Sequence, residues 1–204
     1  MNRLLDLQTQ VDQLVLTQLP SAFPEAIDKD VQETIRDFYV KTACWRAALG
    51  PFGRRAGVAH VHLSSPPGTA INLVHEVTAD SFPLGARIGS GHGWVWAVDR
   101  PELLTVFPVS DQDELKRYIV TCSLLPVSLD AVVPEAAVTH HLGTIVAGCL
   151  SRLYGQATKP WYSQTESRNQ QREWLRGMAA AKAIGYRGYA PATLVAYNPF
   201  GRFA

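Results

Sequence analysis

The 204-residue chain carries 19 Lys and Arg against 18 Asp and Glu, a formal charge of +1, so it lacks the electrostatic footprint of a tight nucleic-acid binder. Charged residues make up 18% of the chain, below the roughly 25% usual in soluble proteins, which leaves neutral surface for protein partners. Residues 1–19 contain Asp6, Asp12 and four Gln in place of a signal peptide's basic start and apolar run, and no stretch approaches the about 20 apolar residues of a membrane span. The expectation is assembly in a cytoplasm with no membrane partner. Cys44, Cys122 and Cys149 sit in apolar runs and read as buried thiols rather than a disulfide framework.

Residues 5–18 read as a short helix that ends in the Pro20–Pro24 segment. From Glu25 to Arg46, the residues Ile27, Val31, Ile35, Phe38 and Trp45 recur at helical steps, with acids crowding the first half as the helix dipole prefers. Gly50, Pro51, Gly53 and Gly57 then predict a loop, after which the period falls to two. Five short strands are predicted, around 59–63, 71–77, 94–98, 104–106 and 118–124, a spacing that suits a small sandwich or barrel. The helical period returns at Pro134, with Val138, Leu142, Ile145, Cys149 and Leu153 on one face and Gly155 placed for a left-handed cap. The face with Gly143, Ala147 and Gly148 is small enough for close helix approach, because Gly inside a helix costs roughly 1 kcal/mol against Ala and needs a compensating contact. Ser163 and Glu166 predict a capping box opening a last helix that runs to about Ile184 through Trp174. Beyond it, Gly185, Gly188, Pro191 and Pro199 predict an extended tail over 187–204.

The fold class expected is α+β: a helical bundle body (1–50 and 130–186) with an inserted small β-sandwich or barrel (51–129) and an extended C-terminal tail. Phe38, Trp45, Leu142, Pro160, Trp161 and Trp174 are expected in the core, with Trp161 filling the gap between the last two helices.

Three stretches in order, VQETIRDFYVKTACWR at 31–46, VTCSLLP at 120–126 before VVPEAA at 132–137, and IVAGCLSRLYGQATKPW at 145–161, resemble the head-to-tail adaptors of tailed-bacteriophage necks. The resemblance implies a structural virion protein without catalysis or cofactor. It implies a homo-oligomeric, dodecameric ring docked on the portal protein, offering a platform to the next tail or nozzle protein and a channel through which DNA slides with weak contacts. A C-terminal extension contacts the portal in such proteins. Here Arg187, Tyr189, Tyr197, Phe200, Arg202 and Phe203 combine the aromatic and Arg types that dominate binding hot spots, and they are the expected docking residues. The alternatives are another neck or tail-completion protein, a stopper or a terminator, or a small metal-dependent enzyme.

The last alternative rests on His60 and His62, which a strand would place on one face at a spacing that metal sites use. A third ligand at matching spacing is missing, so a solvated strand face is expected. His140 and His141 are helix neighbours whose side chains diverge by roughly 100°, one expected toward a partner and the other toward the core. No nucleophile elbow and no Gly-rich phosphate loop is present, and no catalytic or metal residue is assigned.

Overall fold

The computed structural model describes residues 2–86, 95–100, 102–133 and 135–187. Helices account for 43% and strands for 30%, so the class is α+β with mainly antiparallel sheets. The chain opens with a two-residue strand β1 (Asn2–Arg3), then α1 (Leu4–Gln18) and α2 (Pro24–Thr42). Strands β2 (Arg46–Arg54), β3 (His60–His62), β4 (Thr69–Ala79), β5 (Phe82–Pro83), β6 (Gly85–Ala86), β7 (Val95–Arg100), β8 (Leu103–Phe107) and β9 (Glu114–Pro126) follow. The short β10 (Val132–Val133) leads to α3 (Glu135–Tyr154) and α4 (Gln164–Arg187).

Two four-stranded sheets result, ordered β2-β9-β4-β5 and β3-β8-β7-β6, while β1 pairs with β10 at the foot of α1. Alternation drives the long strands inward. Tyr118, Val120, Cys122 and Leu124 of β9 are buried at every second position, and Val61, Leu104, Val106 and Trp96 from the second sheet join the same core. On the helices the buried stripe is Leu7, Val11 and Val15 on α1, Ile27, Val31, Ile35 and Phe38 on α2, and Ile145, Cys149, Leu150 and Leu153 on α3.

Several sequence expectations are corrected here. Helix α2 stops at Thr42, not Arg46, because Ala43 takes a left-handed backbone (φ 51°) and its N–H closes on the Tyr39 carbonyl; Trp45 is buried beyond the helix, not on it. Strand β2 starts at Arg46 and runs to Arg54, taking in all of the expected loop but its end at Gly57, so the boundary placed at 50/51 falls inside a strand. That strand pairs on one side only, with β9, and an edge accommodates Pro51 and Gly53 through register shifts between Leu49 and Arg54. Gly155 does not adopt a left-handed backbone; its N–H reaches the Ser151 and Arg152 carbonyls, a tightened last turn that needs no positive φ.

Helix α4 continues to Arg187 and passes through Gly185, so Arg187 belongs to a helix instead of an extended tail. A Cβ at Gly185 would lie 2.9 Å from the Thr42 carbonyl oxygen and 3.1 Å from Cys44 Cα, so this glycine serves close packing against the end of α2. The capping box at the start of α4 is half made. The Glu166 N–H donates to Ser163 Oγ (3.3 Å), but the Ser163 N–H donates to the Tyr154 carbonyl (3.0 Å), tying α4 to the end of α3. Pro134 and residues 188–204, including Tyr189, Tyr197, Phe200, Arg202 and Phe203, lie outside the described residues.

Candidate functional site

The Lys159-Pro160-Trp161 element lies in the turn joining α3 to α4, held by Lys159 N–H to Gln156 carbonyl (3.0 Å) and Tyr162 N–H to Lys159 carbonyl (3.1 Å). Trp161 is buried, with its ring edge-on to Phe23 at 5.8 Å and the Lys159 ammonium 5.9 Å from its centroid. It therefore ties the turn to the start of α2. Pro160 is exposed, correcting its placement in the core: in a tight turn neighbouring side chains point apart, and Trp161 takes the inward direction. Phe38 is fully buried, with the Trp174 ring 5.9 Å and the His141 ring 5.1 Å away, while Leu142 and Trp174 are half-buried against the core.

A polar seam joins α1, α2 and α3. Arg152 donates to Glu33 (3.1 Å) and to Asp37 (2.7 Å), Gln156 donates to Asp30 (2.9 Å), and Gln8 donates to Asp28. Asp37 is drawn below the ordinary carboxylate range: burial opposes its charge, but hydrogen bonds and charge from Lys41 and Arg152 outweigh it. Asp12 goes the other way, raised to about 6 by burial first and by the Asp28 carboxylate second. His141 is buried beside Phe38 and pushed down to about 4 by burial and by His140, so it is neutral at pH 7; His140 is exposed. Burial also pushes the Cys122 thiol up to about 11 and the Cys149 thiol up to about 12, which removes thiolate reactivity.

The two β-sheets are joined by a buried charged cluster that spacing alone does not reveal. Arg54 on β2 donates from Nε to Glu114, from Nη1 to the Val106 carbonyl (2.7 Å) and from Nη2 to the Pro108 carbonyl (2.7 Å), linking the edge of one sheet to the other. Glu114 also accepts from the Tyr118 hydroxyl and from Arg117, and Arg117 pairs with Asp80 at 2.8 Å. Burial works against the Glu114 charge, but the Arg54 and Tyr118 hydrogen bonds and the two arginine charges hold its pKa below the ordinary value. Each charge in this cluster is matched, so it braces the sheets rather than offering an open reactive group.

His60 and His62 both project outward from β3, on either side of buried Val61, and His60 Nδ1 lies 3.0 Å from Thr105 Oγ1. Among the described residues no group of three or more His, Cys, Asp or Glu is placed to hold a metal ion, and no helix is long and apolar enough to cross a membrane.

Of the residues expected to dock a partner, only Arg187 is described, as the last residue of α4. Sequence reading missed a groove of about 360 Å³ lined by Leu4, Ile35, Pro126, Val127 and Leu129, with Gln8, Glu33 and Arg36 at its edges. It also missed the exposed Leu175 on α4. The only signal for either was an apolar residue off the buried helical stripe. No family model matches the chain, and no curated protein matches its sequence.

Proposed function

We propose that the chain is a structural ring subunit of a tailed-bacteriophage neck, a head-to-tail adaptor seated on the portal protein and passing DNA through its bore toward the tail. In this reading the four helices form a bundle body, the strands between α2 and α3 are an inserted sandwich, and the segment after α4 grips the portal.

The observation that carries it is that the second and third resembling stretches both pack on the first. Residues 31–46 form most of α2 and its turn into β2, 120–126 form the end of β9, and 145–161 run from α3 through the Trp161 turn. The second meets the first just beyond the end of α2, and the third packs along α2 itself. The Leu124 N–H donates to the Trp45 carbonyl (2.8 Å), the Tyr39 ring lies tilted against Trp45 at 5.5 Å, and Arg152 on α3 donates to Glu33 (3.1 Å) and Asp37 (2.7 Å) on α2. An ordered pattern whose later pieces both pack on the first supports a shared architecture better than any single motif. The near-neutral charge also fits a bore through which DNA must slide, since accumulated phosphate contacts would retain it.

Electron microscopy of the purified protein mixed with its candidate portal tests this: rings stacked coaxially on the portal are expected. Removing residues 190–204 should leave the thermal unfolding transition in place and abolish docking. Undiminished docking of the truncated chain refutes the role of the tail, and a protein that stays solitary beside its portal refutes the adaptor.

A further inference from the structure

The end of α2, the middle of β4 and the last turns of α4 enclose a groove of about 210 Å³, lined by Val40 and Ala43, Leu73 and His75, and Lys182 and Gly185. Its walls are tied together. Asn72 Nδ2 donates to the Val40 carbonyl (3.1 Å), holding β4 to α2, and the close approach of Gly185 to Thr42 holds α4 to the same place. Its floor is an open sheet edge among the described residues, because β5 pairs with β4 only at Thr78 and Ala79. Leu73 is accordingly 52% exposed and Val40 40%. His75 adds a polar demand: its Nε2 is buried and has no hydrogen-bond partner among the described residues, a desolvated group left uncompensated. The side chain that suits this groove has an apolar body and a polar tip.

The chain itself carries such a group close by. Lys182 and Gly185 form one wall of the groove, and α4 stops at Arg187, just past that wall. The next residues in sequence are Gly188 and Tyr189. A glycine directly after a helix commonly ends it in a left-handed turn, and the residue that follows then packs back on the helix's last turns. Two residues span at most about 7 Å, so the reach from Arg187 to position 189 is short. A group tethered this closely has an effective concentration in the millimolar range, which a separate partner does not match.

We infer that the occupant of this groove is Tyr189 of the same chain: its ring covers Val40 and Leu73, and its hydroxyl pairs with His75 Nε2, as donor or acceptor according to the imidazole tautomer. The segment after α4 is thereby pinned at its root to its own subunit, and the length left to reach another protein begins at Ala190. Tyr189 acts here within one chain, so its seat holds whether or not copies close into a ring.

Disulfide trapping in the full-length chain tests it with the double variant Leu73→Cys and Tyr189→Cys; Leu73 is exposed, and the native thiols are buried and stay silent. Under mild oxidation of dilute protein an internal disulfide should form, seen in the intact mass as the loss of two hydrogens. Tyr189→Cys combined instead with Leu115→Cys, exposed at the opposite end of β9, should give none. Stepwise truncation is the second measurement: removing 190–204 spares Tyr189 and should leave the melting temperature in place, whereas removing 188–204 should lower it by about 2–4 °C. Failure of the internal disulfide to form overturns the proposal. Covalent dimers in its place overturn it too, because they put a neighbouring chain's tail in the groove, and equal melting of the two truncated chains refutes the anchoring.

Discussion

Asp12 lies on α1 where burial, and then the Asp28 carboxylate, raise its pKa from 3.8 to about 6. A carboxyl that holds its proton more tightly when folded contributes stability below its ordinary pKa, and that contribution is lost as pH rises through about 6. Asp12→Asn should therefore unfold at a higher denaturant concentration than wild type at pH 7, with the gap closing toward pH 4. His141 pulls the other way, since its depressed pKa costs stability as pH falls below the ordinary His value, and comparing the two proteins cancels it. Chemical denaturation at both pH values is the check. The charged cluster between the sheets gives a larger effect. Arg54→Met leaves Glu114 buried against Tyr118 with its main partner gone, a loss of roughly 3–5 kcal/mol, read as a lower denaturation midpoint. Trp161→Ala should lose a similar amount, about 3–5 kcal/mol, because the ring is buried against Phe23 and holds the α3–α4 turn to α2.

At the level of elements, two glycines of α3 separate cleanly. A Cβ at Gly148 would lie 2.5 Å from the Trp174 ring and 2.8 Å from Thr34 Cγ2, whereas one at Gly143 meets nothing within 4 Å. Gly148→Ala should cost about 1–3 kcal/mol through overpacking. Gly143→Ala should be neutral or stabilising by up to about 1 kcal/mol from helix propensity; thermal melts of the pair decide it. The small face predicted along α3 is thus a packing surface at Gly148 and not at Gly143. Periodicity made α1, α2, α3, β4 and β9 legible, because each buries one stripe or alternates over much of its length, whereas β2, interrupted by Gly50, Pro51 and Gly53, was not. The ends were less so. Gly185 reads as a breaker, yet it is the point where α4 crosses the end of α2, and Pro51 reads as loop, yet an edge strand tolerates it. Nothing local marks such crossings.

At the scale of the whole molecule, what sequence could not supply was adjacency between distant residues. Arg54 and Glu114 lie far apart in the chain, and the groove draws its walls from α1, α2 and the segment after β9, so neither leaves a local pattern. Of the docking residues expected from the C-terminal composition, Arg187 stands at the end of a helix whose last turns are anchored by the buried Ala181 and Gly185.

The first and last long strands between the helices, β2 and β9, run side by side, with Arg46 opposite Ser123 and Ala47 opposite Cys122. The chain thus leaves the helices and returns to them through one doorway. That pairing sits where the strands adjoin the helices, so a change of length in the loops between β2 and β9 should leave the two ends of the strand region held together beside the helices.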